Sequence, residues 1–384
     1  MAITIDDVRS KVITLEDVHR LLDKTEPLSI TRIDKDTDIK FHMEPDWAMG
    51  LEAIDNTDPV EVTMTIGGVE RRLTKEAVLQ AGANHGLLRP YMKKIPAALT
   101  NRLLNYHYGQ GMGDEEFNTL VVGDNISAFT PTTITPFSTR QLLDNVVAGI
   151  QNKMGSDVPI FADYKIANSL QRTDVRLILP TRERDIQDGD MEDVPADATD
   201  VWFHGIHLSN SLVGKSQTTL DAYLFRYWCT NGCTTTAETG TWSRRINGQQ
   251  DDIYDWARTQ VDEVLDGLDF ELDQIQALTK LDISGNTPEV LRQIYDEYKM
   301  PVSQRADIEQ PLLSARSRTL YTLLNAVTGA ANSPDLTDAR RDTLMRIGGA
   351  IPTDTFDTMK AKIWSEGHTA DEAARNPYAI RQVA

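Results

Sequence analysis

The sequence has few cysteines and no long apolar run. Its 384 residues include two cysteines, and no cysteine and histidine cluster supplies the four ligands of a structural zinc site. No stretch of about 18 apolar residues occurs, so we predict no membrane span. The first residues, MAITIDDVRSKVITLEDV, carry acids where a signal peptide needs basic and then apolar residues. We therefore expect a cytoplasmic protein.

Positive charge is scarce relative to negative charge. The chain has 39 Lys and Arg against 58 Asp and Glu, which gives a net charge of −19. Such a balance keeps a protein soluble and repels polyanions at long range. The charge is uneven, because residues 251–273 hold nine acids and one base. Basic residues gather elsewhere, at Arg71, Arg72, Lys75, Arg89, Lys93 and Lys94. Local basic surfaces of this kind fit either polyanion binding or an ordinary solvated surface.

Three regions differ in their hydrophobic pattern. Residues 1–72 mix short strand and helix patterns, and EVTMTIGGVERRL predicts two strands around a Gly-Gly turn. Residues 73–246 predict an α+β core, which begins with a helix capped by Thr74 and a second, leucine-rich helix. From about residue 117 to residue 236 the sequence is rich in β-branched and aromatic residues, with one amphipathic helix capped by Ser138. In residues 247–384 apolar residues recur near the helical period. We predict an α+β fold, with a mixed, mainly antiparallel sheet, packed helices and an acidic helical C-terminal region.

Two motifs fall short of known binding signatures. NSLVGKS ends like a phosphate-binding loop, but Ser209 stands where the first glycine is needed, and a strand pattern follows. Residues 185–200, DIQDGDMEDVPADATD, are similar to a calcium loop, but Gly189 comes one residue early. An exposed acidic loop is the favoured interpretation. Weak binding of a divalent ion, or a metal-dependent hydrolase that uses these carboxylates, stays open as an alternative.

Two histidines, His204 and His207, lie three residues apart in HGIHL. The flanking residues favour a strand, on which an odd spacing places the two side chains on opposite faces. A two-histidine metal site is therefore not expected. No sequence cue of a hydrolase occurs either. We predict no catalytic residue, no metal and no cofactor, and we expect a protein that is not an enzyme.

The two cysteines, Cys229 and Cys233, flank Asn231 and Gly232. A redox pair would typically have a two-residue spacer at the start of a helix, whereas three residues intervene here. Asn-Gly is a strong signal for a hairpin turn. We expect two semi-buried thiols beside a turn. A zinc ligand pair completed by another chain stays open.

A resemblance to a known family begins at the same turn. Arg226, Cys229, Asn231 and Gly232 in FRYWCTNG resemble the Arg-x-x-Cys-x-Asn-Gly signature of the phage/plasmid-like protein family, known as domain of unknown function 932. LTKEAVLQAGANHGLLRPYMKKIPAALTNRLLNYHY and TLYTLLNAVTGAANS are similar to two further segments of that family. The chain lacks the histidine that commonly follows the signature and has TWSRR there. The resemblance implies a phage or mobile-element source and no reaction.

An aromatic and basic strand suggests a surface for nucleic acid. Arg226 and Tyr227 in YLFRYW resemble the platforms that stack on single strands. Arg89, Lys93 and Lys94 would neutralise phosphates. The same aromatic residues would also suit the core side of a sheet, and the sequence does not separate these two interpretations. Our leading hypothesis is a homo-oligomeric protein that binds or anneals single-stranded nucleic acid.

The second hypothesis is a protein-interaction role, as a virion component or as an inhibitor of a host defence enzyme. A strongly acidic surface suits a protein that competes with DNA for a basic partner. The acids of residues 251–273, with Asp262, Glu263 and Asp266 at their centre, would then contact a basic host or phage protein.

Overall fold

The computed structural model describes residues 5–26, 29–33, 39–43, 59–109, 116–134, 137–186, 200–213, 217–228, 231–235, 242–244, 250–300, 302–333 and 336–352. Its helices are α1 (Ile5–Arg9), α2 (Leu15–Leu22), α3 (Lys75–Ala83), α4 (Arg89–Met92), α5 (Ala97–Gly109), α6 (Thr139–Met154), α7 (Gln250–Leu278), α8 (Thr287–Glu297), α9 (Val302–Ser314), α10 (Leu320–Ala330) and α11 (Asp338–Ala350). Its strands are β1 (Ile13–Thr14), β2 (Ser29–Ile33), β3 (Ile39–Met43), β4 (Pro59–Ile66), β5 (Val69–Thr74), β6 (Phe117–Val122), β7 (Asn125–Pro131), β8 (Phe161–Ala162), β9 (Ala167–Asn168), β10 (Thr173–Ile186), β11 (Asp200–Asn210), β12 (Thr218–Arg226), β13 (Asn231–Thr235) and β14 (Trp242–Arg244).

The larger sheet has eight strands in the order β1-β8-β10-β11-β12-β13, with β9 beside β10 and β14 beside β12. Its pairs are antiparallel, and β10 and β11 pair from Thr173 opposite Asn210 to Ile186 opposite Asp200. One face of this sheet packs against apolar residues of α6, α7 and α10 in the main core. Strand β12 is buried along nearly its whole length, so both of its faces are covered.

The smaller sheet has the order β2-β6-β7-β5-β4-β3. Its strands pair antiparallel except β5 and β7, which are parallel, and it packs with α3 and α5 around a second core. Gly67 and Gly68, at φ 55° and 84°, form the predicted turn between β4 and β5. The predicted domain boundary at residue 72 falls inside β5, and β2 pairs with β6 across it. The two sheets are therefore the natural units of the fold.

The two sheets meet through a small apolar cluster. Leu120 and Ala128 of the smaller sheet pack there against Leu170, Leu212 and Val213 from the side of the larger sheet. Burying these side chains removes apolar surface from water and stabilises the contact between the sheets.

The C-terminal region is helical, as predicted, and the fold class is α+β. Two helices begin at predicted caps: the side chain of Thr74 accepts from the amide of Ala77, and that of Ser138 from the amide of Gln141. The long helix α7 packs against α6 where Gly149 leaves room, since a Cβ there would lie 2.8 Å from the carbonyl oxygen of Arg258. Among the described residues, no helix has the length and apolar character needed to cross a membrane.

Candidate functional site

The predicted stacking strand lies in the core. Tyr223, Phe225 and Tyr227 belong to a buried apolar cluster on one face of the larger sheet. Arg226 points to the opposite face and is 1% exposed. Its Nε donates to both carboxylate oxygens of Asp200, at 2.9 Å and 2.7 Å. The prediction that Arg226 and Tyr227 form a surface for nucleic acid is therefore corrected, because both faces of this strand are covered.

The ion pair of Arg226 and Asp200 extends into the helical region. The hydroxyl of Tyr321 on α10 donates to the same carboxylate, and Trp202 Nε1 donates to that hydroxyl oxygen at 2.8 Å. Burial, with the nearby charge of Asp200, raises the pKa of Tyr321 well above its usual value. This network joins β11, β12 and α10, so Arg226 has a structural role in holding these three elements together.

The predicted phosphate contact Arg89 is also engaged in a structural pair. Its guanidinium donates to both carboxylate oxygens of Glu76, with Nη2 to Oε1 at 2.7 Å and Nη1 to Oε2 at 3.1 Å. The side chain of Glu76 is 3% exposed, whereas that of Arg89 is 37% exposed. Arg89 therefore holds the start of α4 against α3 and compensates a buried carboxylate.

The other two predicted phosphate contacts lie at the end of α4. Lys93 is its half-buried C-cap residue and Lys94 is exposed. No Asp or Glu occurs in the sequence between Glu76 and Asp114. In a chain of net charge −19, this part of the surface is locally basic.

Exposed aromatic residues accompany these lysines. Tyr91 on α4 is 48% exposed and Tyr106 on α5 is 62% exposed. On α5 the exposed residues Arg102 and Tyr106 are four apart, so they share one face of the helix. These five residues lie on α4, directly after it, or on α5, and none is fully buried; we call Tyr91, Lys93, Lys94, Arg102 and Tyr106 the basic helical surface. It carries the combination of aromatic and basic residues that the sequence had suggested for β12.

The predicted partner-binding acids lie on the exposed side of α7. The side chain of Asp262 is 61% exposed and that of Asp266 is 71% exposed, and Glu263 is also exposed. Lys153 on α6 contacts this group, with its Nζ 2.6 Å from Oδ1 of Asp266. Asp255, Asp262 and Asp266 are seven and four residues apart, so they lie along one line of the helix. We call these three the acidic row of α7.

A buried polar cluster occupies the middle of the larger sheet, and the sequence did not predict it. In the strand register Arg176 lies opposite His207, and His207 lies opposite Asp221. Asp174, two residues from Arg176, is on the same face of β10. Asp174, His207 and Asp221 are each 1% exposed or less. We call this group, with Thr234, Asp342, Arg172 and Arg346, the polar row.

Both nitrogens of the His207 ring face carboxylates. Nε2 lies 3.1 Å from Oδ1 of Asp174. Nδ1 lies 3.7 Å from Oδ2 of Asp221 and 3.8 Å from Oδ1 of Asp342. The hydroxyl of Thr234 on β13 is 3.5 Å from the same Nδ1.

Helix α11 and the residue directly before β10 contribute the arginines of the polar row. Arg346 donates to Asp221 Oδ2 at 2.6 Å and to Asp342 Oδ2 at 3.1 Å. Arg172 contacts Asp174 and lies 2.7 Å from Asp342 Oδ2. Burial opposes ionisation of Asp342, but its electrostatic interactions with His207 and Arg346 outweigh this effect, so the pKa of this carboxyl lies below its usual value.

One potential ligand atom from each of Asp174, His207 and Asp342 lies within 4.8 Å of the others. Imidazole nitrogen and carboxylate oxygen are ligands that zinc-class ions accept. His204 is also buried but lies on the opposite face of β11, as its spacing predicted. The two histidines therefore do not share a site, and the spacing of HGIHL carries no information about carboxylates that lie far away in the chain.

Other predicted features lie wholly or partly outside the described residues. These are the calcium-like loop over residues 187–199, the Gly-Lys-Ser turn over residues 214–216, and Cys229. Cys233 belongs to β13, and its backbone pairs with that of Leu224. The interpretations of the calcium-like loop and of the Gly-Lys-Ser turn therefore stay predictions. The predicted hairpin turn at Asn231 and Gly232 is wrong, because both residues belong to β13 and pair with Arg226 and Phe225 of β12.

Comparisons of the chain with protein-family models, with curated proteins and with solved structures gave no match. The resemblance to the phage/plasmid-like protein family accordingly stays a prediction that rests on the sequence motifs.

Proposed function

We propose that the protein binds single-stranded nucleic acid through the basic helical surface. Its setting would be a homo-oligomeric binding or annealing protein of a phage or mobile element, acting in the host cytoplasm. The observation that carries the proposal is the combination of exposed Tyr91 and Tyr106 with basic residues in a segment without acids.

The chemistry of this surface suits a single strand better than a duplex. Lysine and arginine side chains neutralise phosphates and release counterions. Exposed tyrosine rings stack on unpaired bases, and each stacked base contributes about 1–3 kcal/mol without regard to sequence. The remaining surface is strongly acidic and repels the strand, which confines contact to this surface and makes binding strongly dependent on salt.

The test is fluorescence anisotropy with a labelled oligonucleotide over a series of salt concentrations. In the triple variant Lys93→Gln, Lys94→Gln, Arg102→Gln, affinity should fall and the salt slope should decrease by about 2, at about 0.7 for each lost phosphate contact. Tyr91→Ala and Tyr106→Ala should each cost about 1–3 kcal/mol of binding free energy. The control is the double variant Lys24→Gln, Lys280→Gln, which removes two exposed lysines from other parts of the chain.

Arg89 is left out of the triple variant because its loss acts on the fold. Without it the carboxylate of Glu76 stays buried with fewer hydrogen bonds, which should cost about 2 kcal/mol of unfolding free energy. An oligonucleotide that binds with the same affinity and salt slope to the wild type and to the triple variant would refute the proposed surface.

A second candidate function follows from the acidic row of α7. Asp262 and Asp266 are largely exposed despite their contact with Lys153, and a line of carboxylates suits a basic protein surface. The partner would be a basic host or phage protein. The double variant Asp262→Asn, Asp266→Asn should weaken capture of such a partner and leave oligonucleotide binding intact. Unchanged capture by this variant would remove the acidic row from consideration.

A further inference from the structure

A cavity of about 100 Å³ lies where the two sheets meet. Its walls come from both sides of this junction: the segment after α2, the ends of β5 and β6, strand β7, and the turn between β9 and β10. The lining residues are Lys24, Thr25, Thr74, Val122, Ser127, Leu170 and Gln171. Small-molecule sites often form between packed units of a fold, where two surfaces leave a concave space. We call this space the junction cavity.

The size of the junction cavity limits what it can hold. An apolar cavity of about 150 Å³ accommodates benzene, and one water molecule takes up about 30 Å³ in the liquid. A space of about 100 Å³ therefore suits a few water molecules or one small organic molecule of about four to six heavy atoms. A nucleotide is much too large for it.

Two of the hydroxyl groups in the lining are engaged in internal hydrogen bonds. Thr25 Oγ1 donates to Asn168 Oδ1 at 2.7 Å. Thr74 Oγ1 donates to the carbonyl oxygen of Ser127 at 3.2 Å and accepts from the amide that it caps. These hydroxyls fix the walls of the cavity and have little donor capacity left for a ligand.

Three other groups in the lining can donate to a ligand. The hydroxyl of Ser127 has only a long bond, of 3.4 Å, to the carbonyl oxygen of Asn125. Among the described residues, the side chains of Lys24 and Gln171 make no hydrogen bond or ion pair. An ammonium, an amide and a hydroxyl all donate, and the lining contains no Asp or Glu. This set of groups suits a ligand that accepts hydrogen bonds and carries negative charge.

The positive charge of Lys24 is not neutralised by its neighbours in the chain. Asp23 accepts from Arg140 Nη1 at 2.7 Å. Glu26 accepts hydrogen bonds at the start of α6. Both acids are therefore occupied at α6, and the ammonium of Lys24 remains available to an anion.

The rest of the lining includes an apolar wall. Leu170 is 6% exposed and belongs to the apolar cluster between the sheets, and Val122 packs against the same cluster. A short hydrocarbon chain that contacts these two side chains would remove apolar surface from water. A ligand with an anionic head and an apolar tail satisfies both parts of the cavity.

We propose that the junction cavity binds a short-chain carboxylate of about three to four carbons. The ammonium of Lys24 pairs with the carboxylate, Gln171 and Ser127 donate hydrogen bonds to it, and the tail packs against Val122 and Leu170. Because the walls belong to both sheets, a bound carboxylate stabilises the contact between them. The site is separate from the basic helical surface and goes beyond the function proposed above.

The experiment titrates the full chain with butyrate and with butyramide, which has the same shape and no charge. Saturation-transfer NMR reports binding, and the melting temperature reports the effect on stability. We expect butyrate to bind in the millimolar range, as its small size permits, and to raise the melting temperature. Butyramide should bind about tenfold more weakly, because it forms no hydrogen bond as a charged group.

Three variants assign the binding to the junction cavity. Lys24→Gln should weaken butyrate binding about tenfold, whereas Lys24→Arg should retain it. Gln171→Glu places a carboxylate in the lining with little change in shape, so it should abolish butyrate binding by repulsion and by pairing with Lys24. The matched control is Lys280→Gln, at an exposed lysine elsewhere in the chain, which should bind butyrate as the wild type does.

These substitutions lie at exposed or half-buried positions, so the variants should fold. A wild-type chain that shows no butyrate binding at millimolar concentration would overturn the proposal. Equal binding of butyrate and butyramide would also overturn it, as would equal butyrate binding by the wild type and Lys24→Gln. Because the cavity is too small for a nucleotide, Lys24→Gln should bind an oligonucleotide as the wild type does, and the two sites are tested separately.

Discussion

Arg226 donates through Nε to both carboxylate oxygens of Asp200, at 2.9 Å and 2.7 Å, and both residues are 1% exposed. The hydroxyl of Tyr321 donates to the same carboxylate. The arginine of the FRYWCTNG segment thus joins two strands of the larger sheet to α10. A residue that resembled a contact for nucleic acid holds the fold together.

Removing this arginine should strongly destabilise the chain. In Arg226→Met the carboxylate of Asp200 stays buried without its main compensating charge, which should cost about 3–5 kcal/mol of unfolding free energy. Denaturation by urea, followed by circular dichroism, measures the change. Arg20→Met is the matched control, because the side chain of Arg20 is 66% exposed and, among the described residues, forms ion pairs with Glu16 and Asp17 of its own helix. We expect its unfolding free energy to fall by no more than about 0.5 kcal/mol. A loss below about 1 kcal/mol in Arg226→Met would contradict the structural role.

Local features of the fold could be predicted because a few neighbouring residues determine them. The Gly67-Gly68 turn and the caps at Thr74 and Ser138 are of this kind. Which face of β12 meets solvent could not be predicted, because the strand is buried on both sides and apolar residues occur at successive positions. Without an alternation of polar and apolar residues, sequence gives no signal for which face meets solvent.

The polar row could not be predicted from spacing, because its residues are far apart in the chain. Asp174 and Asp342 are 168 positions apart and meet His207 only through sheet register and the packing of α11. One local signal did exist. Asp221 stands inside the apolar strand TTLDAYLF, where a charge is expensive unless it is paired.

A glycine beside the polar row should tolerate no side chain. A Cβ at Gly205 would overlap the carbonyl oxygen of Leu177 and lie 3.0 Å from Cδ1 of Tyr223. Because one contact is with strand backbone, Gly205→Ala should lower the unfolding free energy by about 1–3 kcal/mol or more. Gly285→Ala is the control, since a Cβ there meets nothing within 4 Å. Equal stability of the two variants in thermal and urea denaturation would disprove this close packing.

The last prediction concerns pH and Glu26, which lies beside the start of α6. Burial raises the pKa of this carboxyl, although hydrogen bonds from Ser138, Thr139 and Arg140 act in the opposite direction. A carboxyl with a raised pKa in the folded chain holds its proton more tightly there than in the unfolded chain. The unfolding free energy should therefore fall as the pH rises from 4.5, the ordinary pKa of a glutamate, through the raised pKa of Glu26.

Glu26→Gln removes this titration, so its unfolding free energy should fall less steeply than that of the wild type between about pH 4 and about pH 7. Urea denaturation at several pH values in this range measures the two slopes. Glu16→Gln controls for the loss of one negative charge, because the side chain of Glu16 is 81% exposed. Parallel curves for the wild type and Glu26→Gln would mean that the carboxyl of Glu26 ionises alike in the folded and unfolded chains, which would contradict its burial against α6.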